Sequence, residues 1–178
     1  MSSLDYILEK VRDAVSSIDP AVVSKFIDEL IAAKKIFVYG SGRSGLAGQF
    51  FAVRLVQLGL DVHFVGDMTT PIIGKNDLTV VVSRTGETMS AVQTANIARR
   101  VGSNVICVTS HRSSKLAHAS NSIIHIPFKD DPESAVHAPL GTLFEESVNI
   151  FFDSIIPDMM RRLEMDERAM KKRHAIWV

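Results

Sequence analysis

From Ile36 onward, short Val- and Ile-rich runs alternate with stretches whose apolar residues recur every three or four positions. That alternation restricts the chain more than any other feature. The runs predict strands over 36–40, 61–66, 78–83, 104–109 and 122–127, and the stretches between them predict helices over 44–58, 88–101 and 113–119. Continuous apolar runs imply burial on both faces, the pattern of a parallel sheet covered by helices. Ahead of them, residues 4–17 and 21–34 carry helical spacing, with Asp19-Pro20 as the break and restart between them.

Beyond the last strand, residues 129–140 lack periodicity and carry Asp130, Asp131, Pro132 and Pro139, so a loop is expected there. A long helix is expected over 142–163. Pro157 should kink or restart it, because proline lacks the N–H that a helix interior needs. Leu143, Phe144, Val148, Phe151, Phe152 and Met159 make that helix apolar on much of its circumference. A small domain cannot easily cover such a surface alone, so the segment 142–178 is expected in a subunit interface. A short basic helix over 166–174 completes the chain. Repeats, low-complexity tracts and linkers are absent from the sequence, which reads as one domain over 1–178 with 1–34 as N-terminal helices.

The 178 residues are enough to bury a core without disulfides or metal, and 46% of them are hydrophobic. Twenty basic residues balance twenty acidic ones, which disfavours nucleic acid as a partner, because binding a polyanion requires a net positive field. The single cysteine, Cys107, lies within Val105-Ile106-Cys107-Val108 and is expected to be a buried structural thiol. With neither a signal-peptide core nor a run of membrane-spanning length, a cytoplasmic protein that does not engage membranes is expected.

Two of the strand-to-helix junctions carry the chemistry. Ile36–Tyr39 opens into Gly40-Ser41-Gly42-Arg43-Ser44-Gly45, and Leu78–Val82 opens into Ser83-Arg84-Thr85-Gly86-Glu87-Thr88. Such turns leave backbone N–H groups unpaired at a helix N-terminus, where an anion can accept them. Two of them in one domain suggest a cleft for a phosphate ester. The first also matches the dinucleotide fingerprint G-x-G-x-x-G, with Asp67 available to hold a ribose. The hydroxyls of the second turn suit a single terminal phosphate better than a pyrophosphate. Tight turns with ordinary Ser or Thr caps are the bland alternative.

Thr142-Leu143-Phe144-Glu145 has capping-box spacing, which would give Glu145 a structural task. Glu146 has none, and it lies beside apolar Leu143 and Ile150 unless it faces a cleft. A base that takes a proton from carbon is therefore expected at Glu146, with Glu145 as the fallback. His63, His111, His118, His125 and His137 show no metal-ligand spacing. His174, after Lys171-Lys172-Arg173, either satisfies the last carbonyls of its helix or reaches into a neighbour's cleft.

The two turns together resemble those of the sugar isomerase (SIS) domain family. Phe64-Val65-Gly66-Asp67-Met68-Thr69-Thr70-Pro71, Pro139-Leu140-Gly141-Thr142-Leu143-Phe144-Glu145-Glu146 and Lys172-Arg173-His174 look like the 6-phospho-3-hexuloisomerases within it. One departure is evident: Arg84 and Thr85 stand where Gly and Ser are usual. The resemblance implies an α/β fold, a three-layer αβα sandwich around a five-stranded parallel sheet. It further implies interconversion of D-arabino-hex-3-ulose 6-phosphate and D-fructose 6-phosphate, in the ribulose monophosphate route of formaldehyde assimilation or its reverse.

On that model Ser41, Gly42, Ser44, Ser83, Thr85, Gly86 and Thr88 hold the phosphate, and Arg43 steers the anion or orients an enediolate oxygen. Glu146 or Glu145 is the base, and His174 is the acid, in its own or a neighbouring subunit. Neither metal nor cofactor is expected, and the chain is expected to form a homodimer or homotetramer. A phosphosugar-sensing module without chemistry, a dinucleotide-binding protein and an isomerase of another phosphosugar are the alternatives.

Overall fold

The computed structural model describes residues 1–128 and 131–174. Two helices, α1 (Ser3–Ser16) and α2 (Pro20–Ala32), precede β1 (Ile36–Gly40), α3 (Gly42–Gln57) and β2 (Val62–Phe64). Then come β3 (Leu78–Val82), α4 (Met89–Val101), β4 (Asn104–Thr109), α5 (Lys115–His118) and β5 (Ser122–His125). The chain continues through α6 (Pro132–His137), α7 (Thr142–Arg162) and α8 (Glu167–Lys171).

All five strands pair in parallel, in the order β2-β1-β3-β4-β5. Side chains alternate across a strand, so each strand feeds two apolar layers. Val38, Val80, Val82, Ile106 and Val108 pack with α1, α2, α3 and α7 on one face. Val81, Val105 and Cys107 pack with α4 and α5 on the other. The result is the three-layer αβα sandwich. Burial raises the Cys107 thiol to about 11, which keeps it protonated and unreactive at neutral pH.

Two expectations change. Within 131–140 the structure contains a helix, α6, where a loop was expected; Lys129 and Asp130 lie outside the described residues. Its cap explains why: Asp131 accepts from the Ser134 N–H at 2.8 Å, Pro132 sits in the first turn, and the buried Tyr6 hydroxyl donates to Asp131 at 2.9 Å. None of the α6 residues is buried, so periodicity had nothing to report. Pro157, for its part, lies inside one helix from Thr142 to Arg162 and does not restart it.

Most of the apolar circumference of α7 is covered within the chain, with Ile150 left half-exposed. Phe152 stacks on Phe51 of α3 with centroids 3.9 Å apart, Phe26 of α2 packs beside both, and Met159 is fully buried. The greasiness of α7 therefore does not by itself require a second subunit. An exposed apolar row lies instead on α3, where Leu46, Phe50 and Val53 are each about half or more exposed.

Candidate active site

β1 has β2 on one side and β3 on the other, so the chain reverses its direction of travel across the sheet between β1 and β3. Ligand crevices of open α/β sheets form at such a point, outside the C-terminal ends of the strands. Gly40 and Val82 are register partners there, so the turns that follow them spring from adjacent strand ends, about 5 Å apart.

Both turns leave their helices uncapped. Ser2, Asp19, Ser114, Asp131 and Asp166 each accept a backbone N–H at the start of their helices. Ser41 and Thr88, at the starts of α3 and α4, make no such bond. The first-turn N–H groups of these two helices and both hydroxyls thus remain for an anion. In the second turn the Ser83 oxygen accepts from the Gly86 N–H at 3.3 Å and the Thr85 oxygen accepts from the Glu87 N–H at 3.2 Å. Those bonds shape the turn, and each hydroxyl keeps its proton to donate.

The glycines of the first turn answer to contact. A Cβ on Gly45 would lie 2.5 Å from the Gly40 oxygen, so strand and helix meet here only without side chains. Gly42 and Gly86 adopt positive φ of 57° and 65°, the left-handed region that glycine takes without strain. Leu116 N–H donates to the Gly86 oxygen at 2.9 Å, seating the second turn on α5.

Over the first turn lies the start of α7. Gly141 is its cap residue and the expected capping box does not form: Thr142 Oγ1 donates back to the Pro139 oxygen at 2.8 Å. Glu145, released from that task, turns inward. It is 7% exposed, accepts from Arg43 Nε at 3.2 Å and from Ser44 Oγ at 3.3 Å, and rests where a Cβ on Gly141 would be. The Glu146 side chain is 46% exposed, with its carboxylate 3.8 Å from Arg43 Nη2. Glu145 is thus not a cap, and both carboxylates stand at Arg43, Glu145 buried and Glu146 at the surface. A cavity of about 240 Å³ opens beside them, lined by Arg43, Phe50, Glu145, Glu146 and Asn149.

A model of the SIS domain matches residues 29–143. The chain belongs to the SIS domain family. It is 38% identical to the 3-hexulose-6-phosphate isomerase of Methanocaldococcus jannaschii over 152 residues, covering 85% of this chain and 82% of that one. It is 31% identical to the 3-hexulose-6-phosphate isomerase of Bacillus subtilis, covering 95% and 94%. A crystal structure of a Methanococcus jannaschii protein, from which a function of 3-hexulose-6-phosphate isomerase was inferred, superposes with a TM-score of 0.89 at 34% identity and 98% coverage of both chains.

Within this SIS domain, Ser41, Arg43, Ser44, Glu145 and Glu146 gather at the first turn, with Ser83, Thr85 and Thr88 at the neighbouring turn. His174 lies elsewhere in the chain, lining a cavity of about 620 Å³ with Gln49, Val53, Phe64 and Asp67. That cavity shares no residue with the one beside Glu145. Asp67, the ribose candidate, lines the same cavity as His174. His137 has structural partners, its ring tilted against Tyr6 with centroids 5.3 Å apart and its Nε2 3.3 Å from Glu133.

Among the described residues no cluster of His, Cys, Asp and Glu could hold a metal ion, and no helix is long and apolar enough to cross a membrane. Sequence reasoning passed over Asn149, which follows Glu145 by one helical turn and whose Oδ1 is buried without a hydrogen-bond partner. Its i, i+4 spacing from Glu145 is the signal that could have found it.

Proposed function

We propose that this SIS domain is a phosphosugar isomerase that interconverts D-arabino-hex-3-ulose 6-phosphate and D-fructose 6-phosphate, serving the ribulose monophosphate route or its reverse. One observation carries the reading: the buried Glu145 carboxylate sits against Arg43 and Ser44 of one uncapped turn, beside a second such turn. Relatives named 3-hexulose-6-phosphate isomerase support it.

In this mechanism N–H groups and hydroxyls at Ser41, Gly42, Ser44, Ser83, Thr85 and Thr88 hold the phosphate monoester, and Gly86, at positive φ and bonded to Ser83, shapes the second turn around it. Glu145, rather than Glu146, removes the proton from C2 of the hexulose; the C–H pair forms the C2=C3 bond, and the C3 oxygen takes a proton. The resulting 2,3-enediol loses the proton on its C2 oxygen, the carbonyl forms at C2, and C3 takes a proton back from Glu145. Arg43 stabilises negative charge on the enediol oxygens. Glu146, at the exposed rim, acts through Arg43.

The proton exchanged between the oxygens is assigned to His174 of a neighbouring copy. The exposed row of Leu46, Phe50 and Val53 runs between the Glu145 cavity and the His174 cavity. A two-fold pairing of copies across that row would set the His174 side of one against the Glu145 side of the other in a homodimer, or in a homotetramer built from such pairs. Mixing Glu145→Gln with His174→Ala protein, each nearly inactive alone, is then expected to restore activity by subunit exchange; no restoration after exchange would place the histidine in its own subunit's site or outside catalysis.

The function is tested by supplying ribulose 5-phosphate, formaldehyde and a hexulose-phosphate synthase and following fructose 6-phosphate. Its formation is expected. Folded protein that binds fructose 6-phosphate but forms none would overturn the reaction, and stabilisation by NAD instead would favour the dinucleotide reading.

A further inference from the structure

The most unusual residue of the second turn, Arg84, does its visible work across the cleft. Its backbone is pinned: the Arg84 oxygen accepts from the Ser110 N–H at 3.0 Å and from Thr109 Oγ1 at 3.0 Å, with His111 Nδ1 at 3.2 Å. From that anchored base its Nη1 donates to the Leu140 oxygen at 3.1 Å, a contact spanning 56 positions of sequence. Leu140 is 90% exposed and held at φ 61°, where a leucine is strained. An exposed side chain cannot hold its own backbone in that conformation; the restraints act on the backbone itself, from Thr142 on the Pro139 oxygen and from Arg84 on the Leu140 oxygen.

The next residue, Gly141, starts α7, has no side-chain cap, and occupies the space against which the Glu145 carboxylate rests. Moving the Leu140–Gly141 peptide therefore moves the floor beneath that carboxylate. Arg84 also lines a cavity of about 390 Å³ together with Leu140, Gly141 and Phe144.

We propose that Arg84 is a positioning residue: a clasp that ties the second anion-holding turn to the start of α7 and so sets the Glu145 carboxylate relative to the bound phosphate. This rests on the isomerase reading for its catalytic consequence only. A glycine at position 84 has no side chain to make the tie, so in this chain the phosphate turn and the carboxylate are registered by a bond that the usual turn sequence lacks.

The test compares Arg84→Ala and Arg84→Lys with wild type in steady-state isomerisation and in amide hydrogen exchange over residues 141–146. Where Arg84→Ala fails to fold, Arg84→Met, which keeps the apolar stem, takes its place. The alanine variant is expected to lose about tenfold to a hundredfold in kcat while KM stays within about threefold, since a misplacement near 1 Å is enough for such a loss. Exchange over 141–146 should accelerate in the alanine variant, and lysine, which can still donate to the Leu140 oxygen, should recover most of both.

An unchanged kcat, a KM that rises alone, or a kcat loss with unaltered exchange would each overturn the clasp; a rise in KM alone would instead mark the guanidinium as a ligand-binding group. A wild-type protein with no isomerase activity would overturn the function, and the exchange comparison would then decide the clasp without it.

Discussion

Glu145→Gln is expected to lower kcat for fructose 6-phosphate formation by about three orders of magnitude, the scale of a lost general base, with little change in KM. The amide keeps the shape of the carboxylate: its oxygen can still accept from Arg43 Nε and its NH2 can donate to a reoriented Ser44 hydroxyl, so the turn and its phosphate contacts survive. What it loses is the ability to take a proton from carbon. Glu146→Gln should cost less than about fivefold, because its carboxylate is half-exposed, stands 3.8 Å from Arg43, and such surface pairs contribute little. Steady-state kinetics on the two variants, with fructose 6-phosphate binding measured alongside, checks the contrast. If Glu146→Gln is the inactive variant, the assignment of the base is reversed.

The second large effect lies in the backbone. Gly45→Ala places a methyl 2.5 Å from the Gly40 oxygen and 2.9 Å from its carbonyl carbon, and neither is the movable end of a side chain. The end of β1 and the first turn of α3 must separate. Overpacking of this kind costs about 1–3 kcal/mol, or roughly 2–12 °C in Tm for a chain of this size. The larger consequence is functional: the N–H groups of the first turn lose their common direction, and affinity for fructose 6-phosphate should fall by more than about tenfold. Thermal unfolding with and without the sugar phosphate reads both. A variant with normal stability and normal ligand stabilisation would mean that the close strand-to-helix contact is not what shapes the site.

The centre of the sheet was legible because β1, β3 and β4 are buried on both faces, and burial leaves long apolar runs such as Leu78–Val82 that no surface element would carry. The two turns were legible because glycine and hydroxyl residues follow those runs directly. α6 was not, since none of its residues is buried and its stability comes from Asp131 and from Tyr6, 125 positions away. Spacing alone could not reveal what packs on α7: Phe26, Phe51 and Phe152 form an aromatic layer between helices that are far apart in sequence.

The glutamates show the same limit at the site. A capping box and an inward-facing carboxylate share one spacing, and the choice between them was made by Arg43 and Ser44, a hundred residues away. His174 could be flagged by its position after a basic run, but that it lines a different cavity from Glu145 is a tertiary fact.

The most direct test is a crystal structure of the protein with fructose 6-phosphate. The account predicts the phosphate within hydrogen-bonding reach of N–H groups from both turns, at residues 42–45 and 85–88, with a Glu145 oxygen about 3–3.5 Å from C2 or C3 of the sugar. A phosphate bound away from both turns, or a sugar whose C2 and C3 lie out of reach of Glu145, would contradict it.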